Sequence, residues 1–144
     1  MSIWKRELQP GPLSDRTPNC LPAAFGIVIT EVGPDYLLAE MPVDERHIQP
    51  FGILHGGASV VLSETLGSLA STLTAPEGMG VVGLEVNANH IAAVRKGETV
   101  TATCRPLHIG RTTQVWQTEI RRADGKLACV SRLTTAMVER PKKT

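Results

Sequence analysis

The sequence predicts an α+β domain in which an antiparallel sheet surrounds one buried helix. Three observations support this fold class. The 144 residues suffice for a single core. One long stretch without proline has apolar residues on every side, as a helix enclosed by protein does. Short β-rich runs with short connections make up most of the remainder and favour an antiparallel meander around that helix.

The first 22 residues are expected to form an irregular arm over the surface of the domain, because they contain four prolines and few periodic apolar positions. No chemistry is assigned to this arm. Residues 23–144 are expected to form a single domain. Its first hairpin is predicted from strands at residues 23–30 and 36–41, which the turn-forming Gly33-Pro34-Asp35 separates.

The only strong helix prediction covers residues 58–73, ASVVLSETLGSLASTL, which are long enough for four turns. Four strands are predicted after this helix, at residues 81–94, 98–109, 113–122 and 127–138. Turn residues separate these strands at Arg95-Lys96-Gly97, Gly110 and Ala123-Asp124-Gly125. The sequence therefore predicts two strands, then one helix, and then four further strands.

Glu64 is the only formally charged residue between Arg46 and Glu77, and it lies in the middle of the predicted helix. An unpaired carboxylate inside an apolar core costs several kcal/mol, so such a group is usually paired, protonated or retained for function. Ser68 and Ser71 follow on the same helical stripe. The helix alone slightly favours a structural alternative, in which Glu64 borders a wet interface and the serines let the sheet approach.

The residues before the helix favour a functional role. Gln49 and His55 supply polar side chains where the helix opens, and Gly56 and Gly57 leave the N–H groups of the first turn uncovered. A developing oxyanion could accept a hydrogen bond from the Gly56 N–H at the positive end of the helix dipole. Hydrolysis of a thioester needs such a donor, although a double glycine alone also fits an ordinary helix entry.

The spacing of Gly56 and Glu64 has a geometric consequence. They are eight residues apart, which is about 12 Å along a helix that rises 1.5 Å per residue. One thioester carbonyl cannot contact both groups of the same chain. If both act on one carbonyl, two chains must place their helices side by side and antiparallel. This predicts a homodimer with two shared sites, provided that the helix begins near Gly57.

Several other kinds of site are disfavoured. The remaining histidines, His47, His90 and His108, show no HExxH or comparable spacing, so no metal is expected. Most of these histidines are expected on the surface or in strands. The sequence has no GxSxG elbow, GxGxxG motif or Walker loop, so neither a serine triad nor a cofactor is expected.

Composition excludes further classes. A formal charge of +1 and five aromatic residues provide no basic, base-stacking surface, so nucleic acid is not an expected partner. No apolar run is long enough for a signal sequence or a membrane span. Cys20, Cys104 and Cys129 are an odd number and lie far apart, which argues against disulfides and suits a reducing cytoplasm.

A resemblance to the hotdog-fold acyl-CoA thioesterases covers roughly residues 23–138. Four segments in this order produce it: MPVDERHIQPFGILHGGASVVLSETLGS, VVGLEVNANH, CRPLHIGRTTQVWQ and SRLTTAMV. The sequence is most similar to the 1,4-dihydroxy-2-naphthoyl-CoA hydrolases of menaquinone synthesis and the enterobactin proofreading thioesterases. The resemblance implies a curved antiparallel sheet wrapped around one long central helix, and dimers that commonly pair into tetramers.

The resemblance also implies roles for individual residues. Glu64 would attack the thioester carbonyl or activate water, while the Gly56 N–H polarises the carbonyl oxygen. His55 and Gln49 match positions that help to hold the thioester or water. Ser68 matches the small hydroxyl residue one turn beyond the carboxylate.

Coenzyme A is expected to contact strand and turn residues at four further family positions, Val82, Gly83, His90 and Arg111. These positions correspond to the surroundings of the pantetheine and the nucleotide phosphates. A solvated turn cation is nearly as good an interpretation of Arg111.

Two alternatives to a thioesterase come from the same superfamily. Hotdog dehydratases also use a histidine and a helical carboxylate on acyl thioesters, but their histidine lies in a different loop motif. A non-catalytic acyl-CoA binding protein would not need Glu64. The sequence does not identify the acyl group, although the resemblance favours aryl groups. It also leaves open whether Glu64 acts as a nucleophile or as a general base. The sequence also leaves open whether the protein is a dimer or a tetramer. The pathway stays open as well, between menaquinone synthesis, siderophore proofreading and general coenzyme A release.

Overall fold

The computed structural model describes residues 1–140 and has the predicted α+β architecture. The last four residues of the expected domain, 141–144, lie outside the described residues. Seven antiparallel strands form one sheet around one long helix, which confirms the hotdog arrangement implied by the resemblance. The elements in chain order are β1 (Gly11–Pro12), α1 (Leu21–Ala24), β2 (Val28–Val32), β3 (Leu37–Pro42), α2 (Gly56–Thr74), β4 (Met79–His90), β5 (Thr99–Ile109), β6 (Thr113–Arg121) and β7 (Leu127–Glu139).

The strand order departs from a simple meander at one place. The sheet runs β1-β2-β3-β5-β6-β7-β4. Strands β5, β6 and β7 are consecutive neighbours as predicted, but β4 pairs with β7 at the far edge and β3 pairs with β5. The reason is α2, which carries the chain across the face of the sheet between β3 and β4. A long helical connection can span several strands, whereas a short turn joins neighbours.

Helix α2 packs against the sheet through one face only. The buried positions are mainly small or aliphatic: Ala58, Ser59, Leu62, Ser63, Leu66, Gly67, Ala70, Ser71, Leu73 and Thr74. The opposite face is half-buried or exposed in the single chain, and Glu64 is exposed. The prediction of a helix enclosed on every side is therefore wrong for one chain, because the sheet covers only one face.

The first 22 residues are more ordered than an irregular arm. Strand β1 pairs with β2, and a 3-10 helix covers Leu13–Asp15. Leu8 and Leu13 join the hydrophobic core. The Trp4 ring stacks on buried Trp116, with centroids 6.0 Å apart. A few widely spaced apolar side chains therefore anchor this segment, although no periodic pattern marks them.

The first predicted strand begins later than expected. Residues 23 and 24 belong to α1, which begins with Leu21-Pro22, a position in the first turn where proline is well accommodated. Gly26 then adopts a left-handed φ of +68°, a conformation that glycine reaches without steric cost. Strand β2 consequently starts at Val28.

Helix α2 approaches the sheet closely at Gly67, and this contact yields a stability prediction. A Cβ at this position would lie 2.6 Å from Leu133 Cδ2. We expect Gly67→Ala to lower the free energy of unfolding by about 1 kcal/mol. Overpacking of the core costs about 1–3 kcal/mol, and this cost exceeds the roughly 1 kcal/mol that alanine gains over glycine in helix propensity. Urea titration followed by circular dichroism measures this.

The control is a double-mutant cycle with Leu133→Ala, which removes the Cδ2 atom that a Cβ at Gly67 would meet at 2.6 Å. We expect the two changes to be coupled by roughly 0.5–3 kcal/mol, with the double variant more stable than the sum of the single losses predicts. A Gly67→Ala variant that is more stable than the wild type would contradict the packing described for this contact.

Candidate active site

Helix α2 begins at Gly56, and His55 is its N-cap. The His55 backbone is extended, with φ −69° and ψ 134°, and its Nδ1 accepts a hydrogen bond from the Gly57 N–H at 2.8 Å. An imidazole that accepts at Nδ1 carries its proton on Nε2. His55 is thus both a structural cap and a side chain whose Nε2–H remains a donor.

The first turn of α2 leaves one N–H group uncommitted. The Gly57 N–H is bound by the His55 ring, and the Ala58 and Ser59 N–H groups donate to the His55 carbonyl at 2.9 and 3.3 Å. The Gly56 N–H has no acceptor among residues 1–140. It lies at the end of the helix where backbone donors and the dipole favour negative charge. Its geometry suits a developing oxyanion.

A cavity of about 310 Å³ opens beside this donor, and we call it the Gly56 cavity. The His90 ring lies directly on the glycine, since a Cβ at Gly56 would be 2.8 Å from His90 Nε2. The Gln49 side-chain oxygen accepts the Phe51 N–H, which leaves the Gln49 amide NH₂ group as a donor. The walls comprise Gln49, Ile53, Leu54, Gly56, Ser59, His90, Ile91, Ala92, Ala93, Val94 and Ala128.

A second cavity, of about 440 Å³, contains the carboxylate, and we call it the Glu64 cavity. Glu64 and Ser68, one turn apart, lie in the same wall. Glu64 Oε1 lies beside β4, because a Cβ at Gly83 would be only 3.3 Å from it. The lining residues are Leu13, Arg16, Thr17, Leu21, Pro22, Val61, Glu64, Thr65, Ser68, Leu69 and Thr72.

The expectation of a buried carboxylate is wrong for the single chain. Glu64 lies next to β4, the last strand of the sheet, and the sheet ends there. Its side chain is therefore exposed rather than enclosed. Ser71 also leaves the predicted polar stripe, since its hydroxyl is buried and lies 2.7 Å from Thr135 Oγ1 in the core.

The two candidate groups lie in different cavities of the same chain. The helix is continuous from Gly56 to Thr74, so the eight residues between Gly56 and Glu64 span about 12 Å. Neither the Gly56 cavity nor the Glu64 cavity contains both residues. Each chain thus presents two separate candidate half-sites, one with the donor and one with the carboxylate.

The residues expected to contact coenzyme A are dispersed. His90 belongs to the Gly56 cavity, and Gly83 lies against Glu64. Val82 is 45% exposed on β4, and Arg111 is exposed in the turn between β5 and β6. Val82 and Arg111 line neither cavity.

Sequence reasoning missed the part of the arm that faces Glu64. Leu13, Arg16 and Leu21 form much of one wall of the Glu64 cavity. No local pattern connects these residues with α2, because only the path of the folded arm brings them there. Helical periodicity, by contrast, could have identified Val61 as a neighbour of Glu64 on α2, because it lies three residues earlier.

The buried histidine His47 is unsuited to ligand binding, and the buried cysteines Cys104 and Cys129 are unsuited to nucleophilic attack. His47 is buried, unlike the surface or strand position expected of most histidines, and both of its ring nitrogens are bonded. Nε2 donates to the Phe25 carbonyl at 2.9 Å, and Nδ1 accepts the Asp44 N–H at 3.1 Å. Burial raises the pKa of the Cys104 thiol to about 12, and burial also raises that of Cys129.

Within residues 1–140, no group of three or more His, Cys, Asp or Glu side chains is arranged to hold a metal ion. In the same part of the chain, none of the helices combines the length and the apolar character needed to cross a membrane.

Comparison with known proteins agrees with the fold. The sequence model of the thioesterase superfamily matches residues 51–129. A 1,4-dihydroxy-2-naphthoyl-CoA hydrolase of Escherichia coli is 48% identical over 94% of this chain and 99% of its own. A proofreading thioesterase of Cronobacter sakazakii is 47% identical over 94% of this chain and 98% of its own. The crystal structure of a Haemophilus influenzae thioesterase matches with a TM-score of 0.89 at 48% identity, over 95% of both chains. The chain belongs to the thioesterase superfamily and is a hotdog-fold thioester hydrolase.

Proposed function

We propose that this chain hydrolyses an acyl-coenzyme A, with an aryl acyl group preferred, to the free acid and coenzyme A. The observation behind the assignment is the uncommitted Gly56 N–H in one half-site and the Glu64 carboxylate in the other. The names of the relatives support an aryl substrate, since one of them is a 1,4-dihydroxy-2-naphthoyl-CoA hydrolase. Three free thiols suit a reducing, cytoplasmic setting.

The reaction consumes one water by either of two routes. In the first, a Glu64 oxygen attacks the thioester carbonyl carbon, coenzyme A leaves as the thiolate, and water hydrolyses the mixed anhydride. In the second, Glu64 takes a proton from a water that attacks the same carbon, and that proton passes to the departing sulfur. In both routes the Gly56 N–H donates to the carbonyl oxygen as it gains negative charge.

The neighbouring polar groups have supporting roles in this proposal. The His55 Nε2–H and the Gln49 amide hold the thioester or the water on the Gly56 side. Ser68 adds a hydroxyl one turn from Glu64. Coenzyme A contacts His90 near the reacting carbonyl, and Val82, Gly83 and Arg111 further out.

The assembly in this proposal is a homodimer or a dimer of dimers with sites shared between chains. Strand β4 is long, and one of its edges has no strand partner within residues 1–140. Val82, Leu84 and Ile91 on or just after this strand are 45%, 59% and 54% exposed. A long edge strand with exposed apolar side chains favours pairing with another chain. Two-fold pairing along β4 would set two α2 helices antiparallel, as the half-sites require.

The first test replaces the carboxylate. We expect Glu64→Gln to lower kcat for the best substrate by about 10³-fold, because an amide keeps the shape and loses the basic or nucleophilic oxygen. Release of free thiol from aryl, short-chain and long-chain acyl-CoAs measures activity. Binding of coenzyme A and the far-UV circular dichroism spectrum should not change, since Glu64 is exposed.

Glu77→Gln is the matched control, because Glu77 is exposed just after α2 and lines neither cavity. Its turnover should equal that of the wild type. Unchanged turnover in Glu64→Gln would refute the role of this residue. A wild type that binds acyl-CoAs without hydrolysing any of them would favour the binding protein, and hydration of an enoyl thioester would favour the dehydratase.

The second test removes the oxyanion donor and uses a control for the added side chain. Proline is tolerated at the first helical position and lacks the N–H, and the extended backbone of His55 suits a following proline. We expect Gly56→Pro to lower kcat by about 10²–10³-fold. Gly56→Ala is the control, because it places the same Cβ against His90 and keeps the N–H. Equal losses in the two variants would mean that the clash, and not the donor, explains the effect.

The third test mixes two inactive proteins. If each site takes Gly56 from one chain and Glu64 from the other, a heterodimer of Glu64→Gln and Gly56→Pro has one intact site. Random exchange of equal amounts should then restore about one quarter of the wild-type activity. Co-refolding followed by the thiol-release assay measures this. Recovery no greater than the sum of the two single variants would contradict sharing between chains.

A further inference from the structure

One wall of the Glu64 cavity has no role in the hydrolysis described above. It comes from the N-terminal arm and faces the open side of α2. Most of the cavity surface is aliphatic, from Leu13, Leu21, Val61 and Leu69. At about 440 Å³ the cavity is within the usual size of small-molecule sites. Because Glu64 must reach the thioester carbonyl, the space beyond it is where the acyl group would lie.

Backbone contacts hold this wall in place at both ends. The Leu13 N–H donates to the Ile27 carbonyl at 3.0 Å, and the Leu13 side chain is buried. The Thr17 N–H donates to the Leu13 carbonyl at 2.9 Å. At the other end, the first turn of α1 closes through the Ala24 N–H, which donates to the Cys20 carbonyl at 3.0 Å. The arm therefore presents its side chains to the cavity from a defined backbone.

Arg16 is the one cation in the cavity lining, and Glu64 is the one anion. One terminal nitrogen of Arg16 donates to the Gln9 carbonyl at 2.5 Å. A guanidinium has five N–H donors, so most of them remain available for a ligand.

Arginines outside the two cavities are of two kinds. Five share with Arg16 a guanidinium that lacks a carboxylate within 4.0 Å among residues 1–140, but they line neither cavity: Arg6, Arg95, Arg111, Arg132 and Arg140. Four others are paired with acidic residues. Arg46, Arg105, Arg121 and Arg122 each lie 2.7 to 3.0 Å from a carboxylate oxygen. Arg16 has no carboxylate within 4.0 Å among residues 1–140. A guanidinium without an acidic partner at the edge of an apolar cavity is suited to bind an oxygen of the ligand.

We propose that Arg16 is a specificity-determining residue that binds an oxygen at the far end of the acyl group. That oxygen is a hydroxyl or a carboxylate, and Leu13, Leu21 and Leu69 contact the apolar body of the same group. The planar fork of arginine donates two parallel hydrogen bonds to a carboxylate, which makes a carboxylate the sharpest probe. This inference rests on the proposed function, because it takes the Glu64 cavity to be the acyl pocket.

The experiment compares binding of two coenzyme A thioethers that cannot be hydrolysed, the 4-carboxybenzyl and the 4-methylbenzyl derivatives. Isothermal titration calorimetry gives Kd for the wild-type protein and for Arg16→Gln. We expect Arg16→Gln to weaken binding of the carboxybenzyl thioether roughly fivefold and to leave the methylbenzyl thioether unchanged, as fits a charge pair exposed to solvent. With the matching thioesters, KM for the carboxylated substrate should rise while kcat stays the same.

Two further variants are controls. Arg105→Gln removes the same charge from a residue that lines neither cavity and should leave both affinities unchanged. Arg16→Lys keeps the charge without the planar fork and should retain part of the preference. Thermal denaturation of each variant reports whether the arm still packs.

Each remaining outcome decides the proposal. If Arg16→Gln weakens the binding of both thioethers equally, or weakens the binding of neither, the proposed role of Arg16 is overturned. Hydrolysis by the wild type would still support the proposed function. The wild type could bind the carboxybenzyl thioether more tightly than the methylbenzyl thioether, lose this preference in Arg16→Gln, and yet hydrolyse no thioester. That result would support the binding role of Arg16 and reject the proposed function. Failure of the wild type to bind either thioether would overturn the role of Arg16, and the thiol-release assay would then decide the proposed function separately.

Discussion

The close packing of α2 against the sheet is the constraint on which the rest of the structure depends. Gly67 lets the helix backbone approach Leu133 so closely that a methyl group would not fit. Near the helix C-terminus, the Thr74 hydroxyl and the Trp116 indole both donate to the buried Gln114 oxygen. These contacts fix the rotation of α2 about its axis. They therefore decide which residues face the core and which face outwards.

The rotation and direction of α2 also place the two groups that are proposed to act on the thioester, the Gly56 N–H and the Glu64 carboxylate. Strand β4 runs alongside the helix in the opposite direction, so that His90 meets Gly56 while Gly83 meets Glu64. One rigid element thus holds the donor at its end and the carboxylate two turns further on. A helix cannot bend to bring such groups together, because its hydrogen bonds fix the rise per residue. A site shared between two chains, as proposed, resolves this separation.

In this proposal, the residues that hydrolyse the thioester and the residues that select the acyl group come from different parts of the chain. The loop before α2 and the helix itself supply the groups that act on the thioester carbonyl. The arm supplies the wall that faces the acyl group, and it is anchored by Trp4 on Trp116 and by the buried Leu13. Side chains of the arm could change without disturbing the packing of α2, since Arg16 and Leu21 are exposed. The acyl preference can therefore vary while the chemistry is retained.

Local patterns in the sequence determined the helix, the three strands β5 to β7, and the turns at Gly97 and Gly125, both of which have left-handed φ angles. They also singled out Glu64 as an isolated charge and placed Gly56 and Gly57 where the helix opens. The place of β4 at the sheet edge depended on how far the helix crosses, which no local pattern encodes. The exposure of Glu64 depended on where the sheet ends, and the meeting of Arg16 with the Glu64 cavity depended on the folded path of the arm. Contacts between residues distant in sequence decided these three features, because they arise only when the whole core is packed.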